Sequence, residues 1–438
     1  MKAPVGETEN CIALTSRLHF DVGGYDYRPN GLATVPQNLD SGVNARRARI
    51  GVLGTFMGDW NYALIFDFGG SSDGFGGTVT TKLLPGGITS AVENAYLSYQ
   101  GIKGLAIEGG YIDSLYSLDN ATSSNDIMFL ERASAGVIAN NIAANDFRSM
   151  FGARAYGDWY WAGAYVTGPT SGAMHSATSG SATFTPPDGT TEQLGGFARI
   201  ALLFGDPKLY SFHIGADVEA LFEAPYDFAN GSRSLAISDR PEVRIDPTEI
   251  VGAANIQNGS SSSIANVSHA QVYSVEAAGN WGPVYFQGEY FWFNVDRRPF
   301  AQPGTTFTGP TLHFNGGYAE ASWVLTGETR SYDPGAGAYS GVVPDNPFSW
   351  ANGGWGAWEI AGRYSVIDLN DRLGFVDGVA GGKQTIYTAG LNWYVNRNIR
   401  FMLDYLHGII DKRNGPTGPF IDQGARFDAV AMRTQIAF

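Results

Sequence analysis

Residues 425–438 read ARFDAVAMRTQIAF and end on an aromatic. Val430, Met432, Thr434, Ile436 and Phe438 share one parity, and Ala429, Ala431, Arg433, Gln435 and Ala437 share the other. A period of two makes a strand with one greasy face and one wetter face. The end of a soluble chain usually frays. A closed membrane barrel instead needs its last strand paired with its first, because an open sheet edge in lipid leaves backbone groups without partners.

The same alternation recurs upstream. Sixteen candidate strands span 12–28, 43–57, 59–70, 90–100, 104–112, 147–156, 158–168, 193–205, 209–222, 267–281, 283–296, 312–327, 355–368, 384–395, 398–410 and 425–438. Short connections carry Gly, Asp, Asn or Pro turn signals, as at Gly58-Asp59, Gly157-Asp158 and Gly282-Pro283. Long connections, such as 113–146 and 223–266, are polar and rich in Gly, Ser and Pro. Alternating short and long connections, with both termini on the short side, describe an up-and-down barrel with short periplasmic turns and long extracellular loops. Residues 328–354 break the rule, being long on the short-turn side. Segment 233–246 is a further strand candidate, placed here in a loop because Pro241 interrupts it.

Composition agrees. The chain has 438 residues, with 16% charged and 13% aromatic, against about 25% charged in soluble domains. Mean hydropathy is −0.12, and no run of eighteen apolar residues exists, so helical membrane spans are excluded. Strands of ten or more residues are also long for a soluble sandwich, whose strands run about five or six. The fold class expected is all-β: a sixteen-stranded antiparallel transmembrane barrel, wide enough for a water-filled lumen, with loop 113–146 folded in as the constriction. Residues 1–11 are expected to be an N-terminal periplasmic segment and 12–438 the barrel domain. Residues 1–16 lack the basic and apolar regions of a signal peptide, so the numbering is expected to begin after its removal. The single cysteine, Cys11, excludes an intrachain disulfide and leaves lipidation as an alternative role.

The net charge of −14 argues against nucleic acid as a partner. It does not set pore selectivity, which depends on the charges lining the path. Residues 43–57, VNARRARIGVLGTFM, hold a basic cluster. Parity turns Arg47 and Arg49 to the lumen and Arg46 outward, near enough to the strand end to snorkel. Arginine in a pore wall either binds phosphate or carboxylate with its forked donors or braces the wall by pairing with carboxylates. Within 113–146, the polar run 119–126 is followed by Ile127-Met128-Phe129-Leu130-Glu131-Arg132. The apolar part is suited to dock on the inner wall, leaving Glu131 and Arg132 beside the pore. Trp60, Trp159 and Trp161 lie near tight turns, where aromatic girdles form. No cofactor or metal site is expected, since the six histidines have no ligand spacing. The nucleophile-elbow pattern at 70–74 falls in a glycine-rich loop rather than a strand–turn–helix.

Several segments in order resemble the phosphate-selective porin O and P family: ARRARIGVLGTFMGDWNYALIFDF (45–68), ENAYLSYQG (93–101), TSSNDIMFLERA (122–133), DRPEVR (239–244), YSVEAAGNWGPVYFQGEY (273–290), GGYAEASWVLTGETRSY (316–332), WEIAGRYSVIDLND (358–371) and GLNWYVNRNIRFMLDYLH (390–407). The resemblance implies an outer-membrane homotrimer of porins in contact with lipid and lipopolysaccharide, passing small solutes or inorganic anions such as phosphate, and not an enzyme. It implies that Arg132 is the constriction arginine and that Ser123 and Ser124 are its hydroxyl pair. Arg47 and Arg49 would be the strand-two arginines, and Arg240, Arg244 and Arg233 part of an arginine ladder. Two positions depart from the family pattern: Asn94 stands where an Asp is common, and Asp113 where a Lys is common. The alternatives are a general or cation-preferring pore and a plugged structural or adhesive barrel. An outer-membrane lipase would need a Ser–His pair on the lipid face, and the sequence offers none. Small outward residues such as Gly54 and Ala91 would suit close subunit packing.

Overall fold

The computed structural model describes residues 10–30, 39–69, 91–144, 147–168, 193–227, 232–253, 263–302 and 305–438. The nucleophile-elbow pattern at 70–74 and residues 1–9 lie outside them.

Alternation along each strand leaves one apolar and one polar face, and closure hides both edges. The barrel strands are β1 (Cys11–Arg28), β2 (Gly42–Phe56), β3 (Trp60–Asp67), β4 (Ala91–Tyr99), β5 (Leu105–Asp113), β6 (Phe147–Tyr156), β7 (Tyr160–Thr167), β8 (Leu194–Asp206), β9 (Tyr210–Glu223), β10 (Val267–Trp281), β11 (Val284–Arg297), β12 (Leu312–Val324), β13 (Ala357–Asp371), β14 (Val379–Tyr394), β15 (Ile399–Arg413) and β16 (Phe420–Ala437). Each pairs antiparallel with its neighbours in chain order, and β16 closes on β1 in a register running from Arg17↔Ala437 to Arg28↔Arg426. The terminal Phe438 exchanges both backbone bonds with Ser16, at 2.8 and 3.0 Å. Val430, Met432, Ile436 and Phe438 are exposed on the outer face, while Ala429, Ala431, Arg433 and Gln435 are buried inside.

The lumen is filled from three places, whereas one inward loop was expected. From the long-loop side, residues 114–144 enter with α1 (Leu118–Ala121) and α2 (Ser134–Ala143). The segment between β9 and β10 also enters. Its strand Ser232–Asp239 is real but not part of the barrel sheet; it pairs with Tyr226–Asp227, Val251–Ala253 and Ser263–Ala265. The ladder stops before Pro241, which has no N–H to donate. Leu235, Ile237, Val251 and Ile264 share a buried cluster with Ile138 and Ile142 of α2 and with Phe291, Phe314 and Ile367 of the wall.

The third segment explains the long periplasmic-side connection. Between β12 and β13, a small hairpin pairs Tyr332 with Tyr339 and Asp333 with Ala338. The Trp161 indole N–H donates to the Gly335 carbonyl at 3.1 Å, and Arg199 donates to the carbonyls of Ala336 and Gly337 at 3.0 and 2.7 Å. Gly337 has φ +64°, and a Cβ there would sit 2.8 Å from the Trp161 ring, so this tip requires glycine. Trp161 is therefore inward and 1% exposed, not part of a girdle. Its strand parity matches buried Tyr165 and Thr167, whereas Trp159 lies in the turn and is free to face outward. At Gly54 a Cβ would meet the Tyr62 side chain of the adjacent strand and the Cys11 carbonyl; the side chain of Ala91 lies outside the described residues.

Val430 sits near the middle of β16 with its side chain outward. Val430→Arg should lower barrel stability by about 2–4 kcal/mol, the cost of a lipid-facing cation near the bilayer midplane, read as a reduced urea midpoint for unfolding from lipid vesicles, while Val430→Leu should leave it unchanged.

Candidate pore constriction

A loop inside a barrel has no ladder to join, so its backbone groups must find other partners. Here the wall side chains supply them. The Leu118 and Asp119 amides donate to the Glu289 carboxylate at 2.8 and 3.1 Å. Ala143 and Ala144, at the end of α2, donate to Glu219 at 3.2 and 2.7 Å. Between them, the Leu130 amide donates to Asp404 at 2.7 Å, and the Met128 carbonyl accepts from Asn392 at 2.9 Å. The Asn125 carbonyl accepts from Arg400 at 3.1 Å and Gln435 at 3.0 Å. The apolar run docks as expected: Ile127, Met128, Phe129 and Leu130 are buried, and the Arg363 guanidinium lies 4.6 Å from the Phe129 ring.

Glu131 is the knot of this arrangement. It accepts from Arg46 at 2.7 and 3.0 Å and from Arg433 at 2.7 Å. Arg433 also holds Asp21 with two bonds of 2.7 Å. One carboxylate thus ties the loop to β2 and to the β1–β16 seam. Glu131 is 5% exposed, so it does not stand beside the pore. Arg46 is corrected too: it is buried and inward. The β1–β2 register slips between His19 and Asp21, placing two residues of β2 opposite one of β1. That bulge lets both Arg46 and Arg47 enter the lumen. A second slip, between Ile65 and Phe66 of β3, does the same for Glu93 and Asn94 of β4. Asn94 sits on the inner face, paired with Ile65, and its Oδ1 has no partner among the described residues.

The remaining candidates divide by their partners. Arg47 is buried, with His19 Nδ1 at 3.5 Å. Arg49 keeps some solvent access but is neutralised by Asp67 at 2.9 Å and by Glu93. Arg233 pairs with Glu223 and the Ala224 carbonyl, and Arg244 with Asp239 at 3.3 Å. Arg240 is buried in the second inward segment, where its own carbonyl accepts from Ser134 at 3.3 Å. Arg132 is 12% exposed and donates to the carbonyls of Asp119 and Thr122 at 3.0 and 2.8 Å, holding the end of α1. Most wall arginines therefore brace.

Arg17 of β1 is different, and parity alone could have found it, since it alternates inward with Thr15, His19 and Asp21. Its guanidinium donates to Ser124 Oγ at 2.6 Å and Ser123 Oγ at 3.2 Å. Among the described residues no carboxylate lies within 4.0 Å of it, and it keeps solvent access. Arg17, Arg49, Asn94, Asp113, Ser123 and Arg132 are all only partly buried or exposed. Of these, Arg17, Arg49, Asn94 and Asp113 belong to β1, β2, β4 and β5, and Ser123 meets Arg17, whereas the apolar cluster under α2 packs on Phe291, Phe314 and Ile367 of the wall.

Removing the knot should loosen the loop while the strands stay paired. Glu131→Gln leaves Arg46 and Arg433 without their shared charge, a loss of about 3–5 kcal/mol for a broken buried pair. Single-channel recordings should show raised open-channel noise, with the folded barrel's heat-modifiable gel mobility retained.

Comparison with known proteins agrees with this geometry. The model of the family described as phosphate-selective porin O and P matches residues 12–438. Porin O of Pseudomonas aeruginosa is 24% identical over 442 residues, covering 99% of this chain and 89% of that protein. A Caulobacter vibrioides protein is 27% identical over 430 residues, covering 96% of this chain and 73% of its own. Among solved structures, the anion-selective porin of Comamonas acidovorans superposes with a TM-score of 0.51 at 13% identity, covering 98% of this chain and all of that one. The trimer form of OmpT of Vibrio cholerae superposes with a TM-score of 0.52 at 11% identity, covering 98% and 100%. A family match over nearly the whole chain, joined to a closed sixteen-stranded barrel with a folded-in loop, makes this protein a member of the phosphate-selective porin O and P family, a diffusion channel of the bacterial outer membrane.

Proposed function

We propose that the channel passes small anions, phosphate among them, along the β1–β5 side of the constriction. The observation that carries this is the Arg17 guanidinium: half-buried with some solvent access, held by two hydroxyls, and with no carboxylate within 4.0 Å among the described residues. A cation whose charge is already cancelled adds little to the field in a pore, whereas an uncancelled one draws anions. The serine hydroxyls fix the guanidinium fork without removing its charge. Ser123 and Ser124, bonded to Arg17, and Asn94 of β4 offer further contacts on the same side, so a passing anion meets several moderate contacts rather than one tight site. That favours release as well as capture. The braced arginines Arg46, Arg233 and Arg244 serve this reading indirectly, by holding the inward segments in place. The family's description as phosphate-selective and the likeness of fold to an anion-selective porin favour the same solute class. The protein works as a homotrimer in this proposal, as the trimer form of the OmpT relative suggests, embedded among outer-membrane lipid and lipopolysaccharide.

A second reading, a general or cation-preferring pore, is favoured by Asp113, which is exposed at the end of β5. Reversal potentials in planar bilayers across a KCl gradient, with and without phosphate, separate the two. Anion preference with phosphate block is expected. Arg17→Ala should weaken that block about tenfold, equivalent to roughly 1.4 kcal/mol, and Arg132→Ala should weaken it less. Asp113→Asn should raise anion preference. Cation preference in the wild type, unchanged by Arg17→Ala, would establish the general pore instead.

A further inference from the structure

The connection between β12 and β13 does not stop inside the barrel. After its lumenal hairpin, residues 346–356 (NPFSWANGGWG) meet the outward face of Trp393 beside the β14–β15 turn, at the short-turn rim of the barrel. The Phe348 amide donates to the Val395 carbonyl at 2.8 Å, and the Trp393 indole N–H donates to the Trp355 carbonyl at 2.9 Å. Ser349 and Gly354 form an isolated bridge that closes the turn, and Gly353 takes φ +71° within it.

The outer wall beneath is aromatic. Trp358 of β13, Trp393 of β14 and Phe401 of β15 share outward parity with lipid-facing Ile360, Leu391 and Leu403. Trp393 stacks on Trp358 at 5.4 Å and on Phe401 at 5.7 Å. Phe348 packs edge-on against Trp393 at 5.4 Å and against Trp350 at 5.1 Å. The turn thus extends this belt, and it ends on Trp350, 90% exposed, and Trp355, 74% exposed. Residues 346–358 carry no charged side chain. Two indoles held out by a rigid, uncharged turn, continuous with a lipid-facing wall, have the chemistry of a membrane interface. There the indole ring is buried in acyl chains and its N–H meets the headgroup layer.

We propose that residues 346–356 are a lipid-binding foot that inserts Trp350 and Trp355 into the headgroup region of the periplasmic leaflet. The foot follows, in the same connection, Arg330, which donates to the Asp126 carbonyl of the constriction loop at 2.8 Å and to Glu359 at 2.7 Å. One connection therefore grips the pore loop inside and the lipid outside. This inference rests on the barrel and is independent of which solute passes.

The test uses the full chain with Cys11→Ser, carrying a nitroxide at Ala351→Cys, between the two tryptophans, and separately at Asn352→Cys. The barrels are reconstituted in phosphatidylethanolamine–phosphatidylglycerol vesicles. A label at Asn414→Cys, exposed in the β15–β16 connection, gives the water-exposed reference. The expected result is collision with dissolved oxygen favoured over collision with a water-soluble nickel chelate, relative to that reference. The preference should be lost when Trp350→Ser and Trp355→Ser are combined. Chelate access equal to the reference would overturn the proposal. Shielding from both reagents would overturn it as well, and would assign the foot to a second copy of this chain.

Discussion

A single carboxylate carries the interior of this barrel. Glu131 joins loop 113–146 to Arg46 on β2 and to Arg433, which in turn grips Asp21 across the β1–β16 seam. These groups are nearly out of water, so their desolvation is offset only because several bonds converge on each. Removing one partner leaves a buried charge alone, which is far more costly than losing a surface pair. The loop, the second inward segment and the closure of the barrel are thereby coupled. Arg363 strengthens the coupling, donating to the Glu131 carbonyl at 2.8 Å and also holding Glu242 of the second segment.

Filling a lumen this wide creates two opposing demands. An inward loop must satisfy its backbone, which calls for charged and amide side chains on the wall. A channel must also leave charge for its solute. The chain separates these tasks in space. On the β8–β13 side, α2 and the strand Ser232–Asp239 bury Ile138, Ile142, Leu235 and Ile237 against Phe291, Phe314 and Ile367, making a dry core inside the barrel. On the β1–β5 side the polar groups keep water. Positive charge there is partly cancelled, as at Arg49 with Asp67 and Glu93, and partly not, as at Arg17. Counting arginines therefore says little about the charge the lumen presents, since several of them are already paired with carboxylates.

Much of the fold was legible because lipid imposes a strict rule on a strand: one face apolar, the other free to vary. Sixteen strands and their order followed from that alternation and from turn chemistry; loop 113–146 stood out as the constriction by its length and distinctive sequence, and 328–354 stood out only as too long for its side. The candidate site was legible only in outline. Ser123, Ser124 and Arg132 lie in the constriction loop by sequence position, but that Arg132 turns back on Asp119 and Thr122 to tie the end of α1 depends on how the loop folds, and that Glu131 is buried depends on Arg46 and Arg433, 85 and 302 residues away. Arg17 was visible in the parity of β1 and was overlooked because no motif marked it. The outward assignment of Arg46 failed because a bulge between His19 and Asp21 resets the alternation, and one extra residue leaves no signature in a pattern of twos.

By itself, then, the sequence determined a closed β-barrel with a greasy exterior, since every outward position must meet hydrocarbon and each residue satisfies that rule locally. The tertiary structure alone decided what fills the barrel. Three segments compete for one lumen, and their positions are set by long-range pairings: Glu131 with Arg46 and Arg433, Arg199 with Ala336 and Gly337, Arg330 with Asp126. Charge pairing has no period along the chain. Whether an arginine braces the wall or faces the solute is fixed by the neighbour that closure brings to it, and that neighbour lies elsewhere in the sequence.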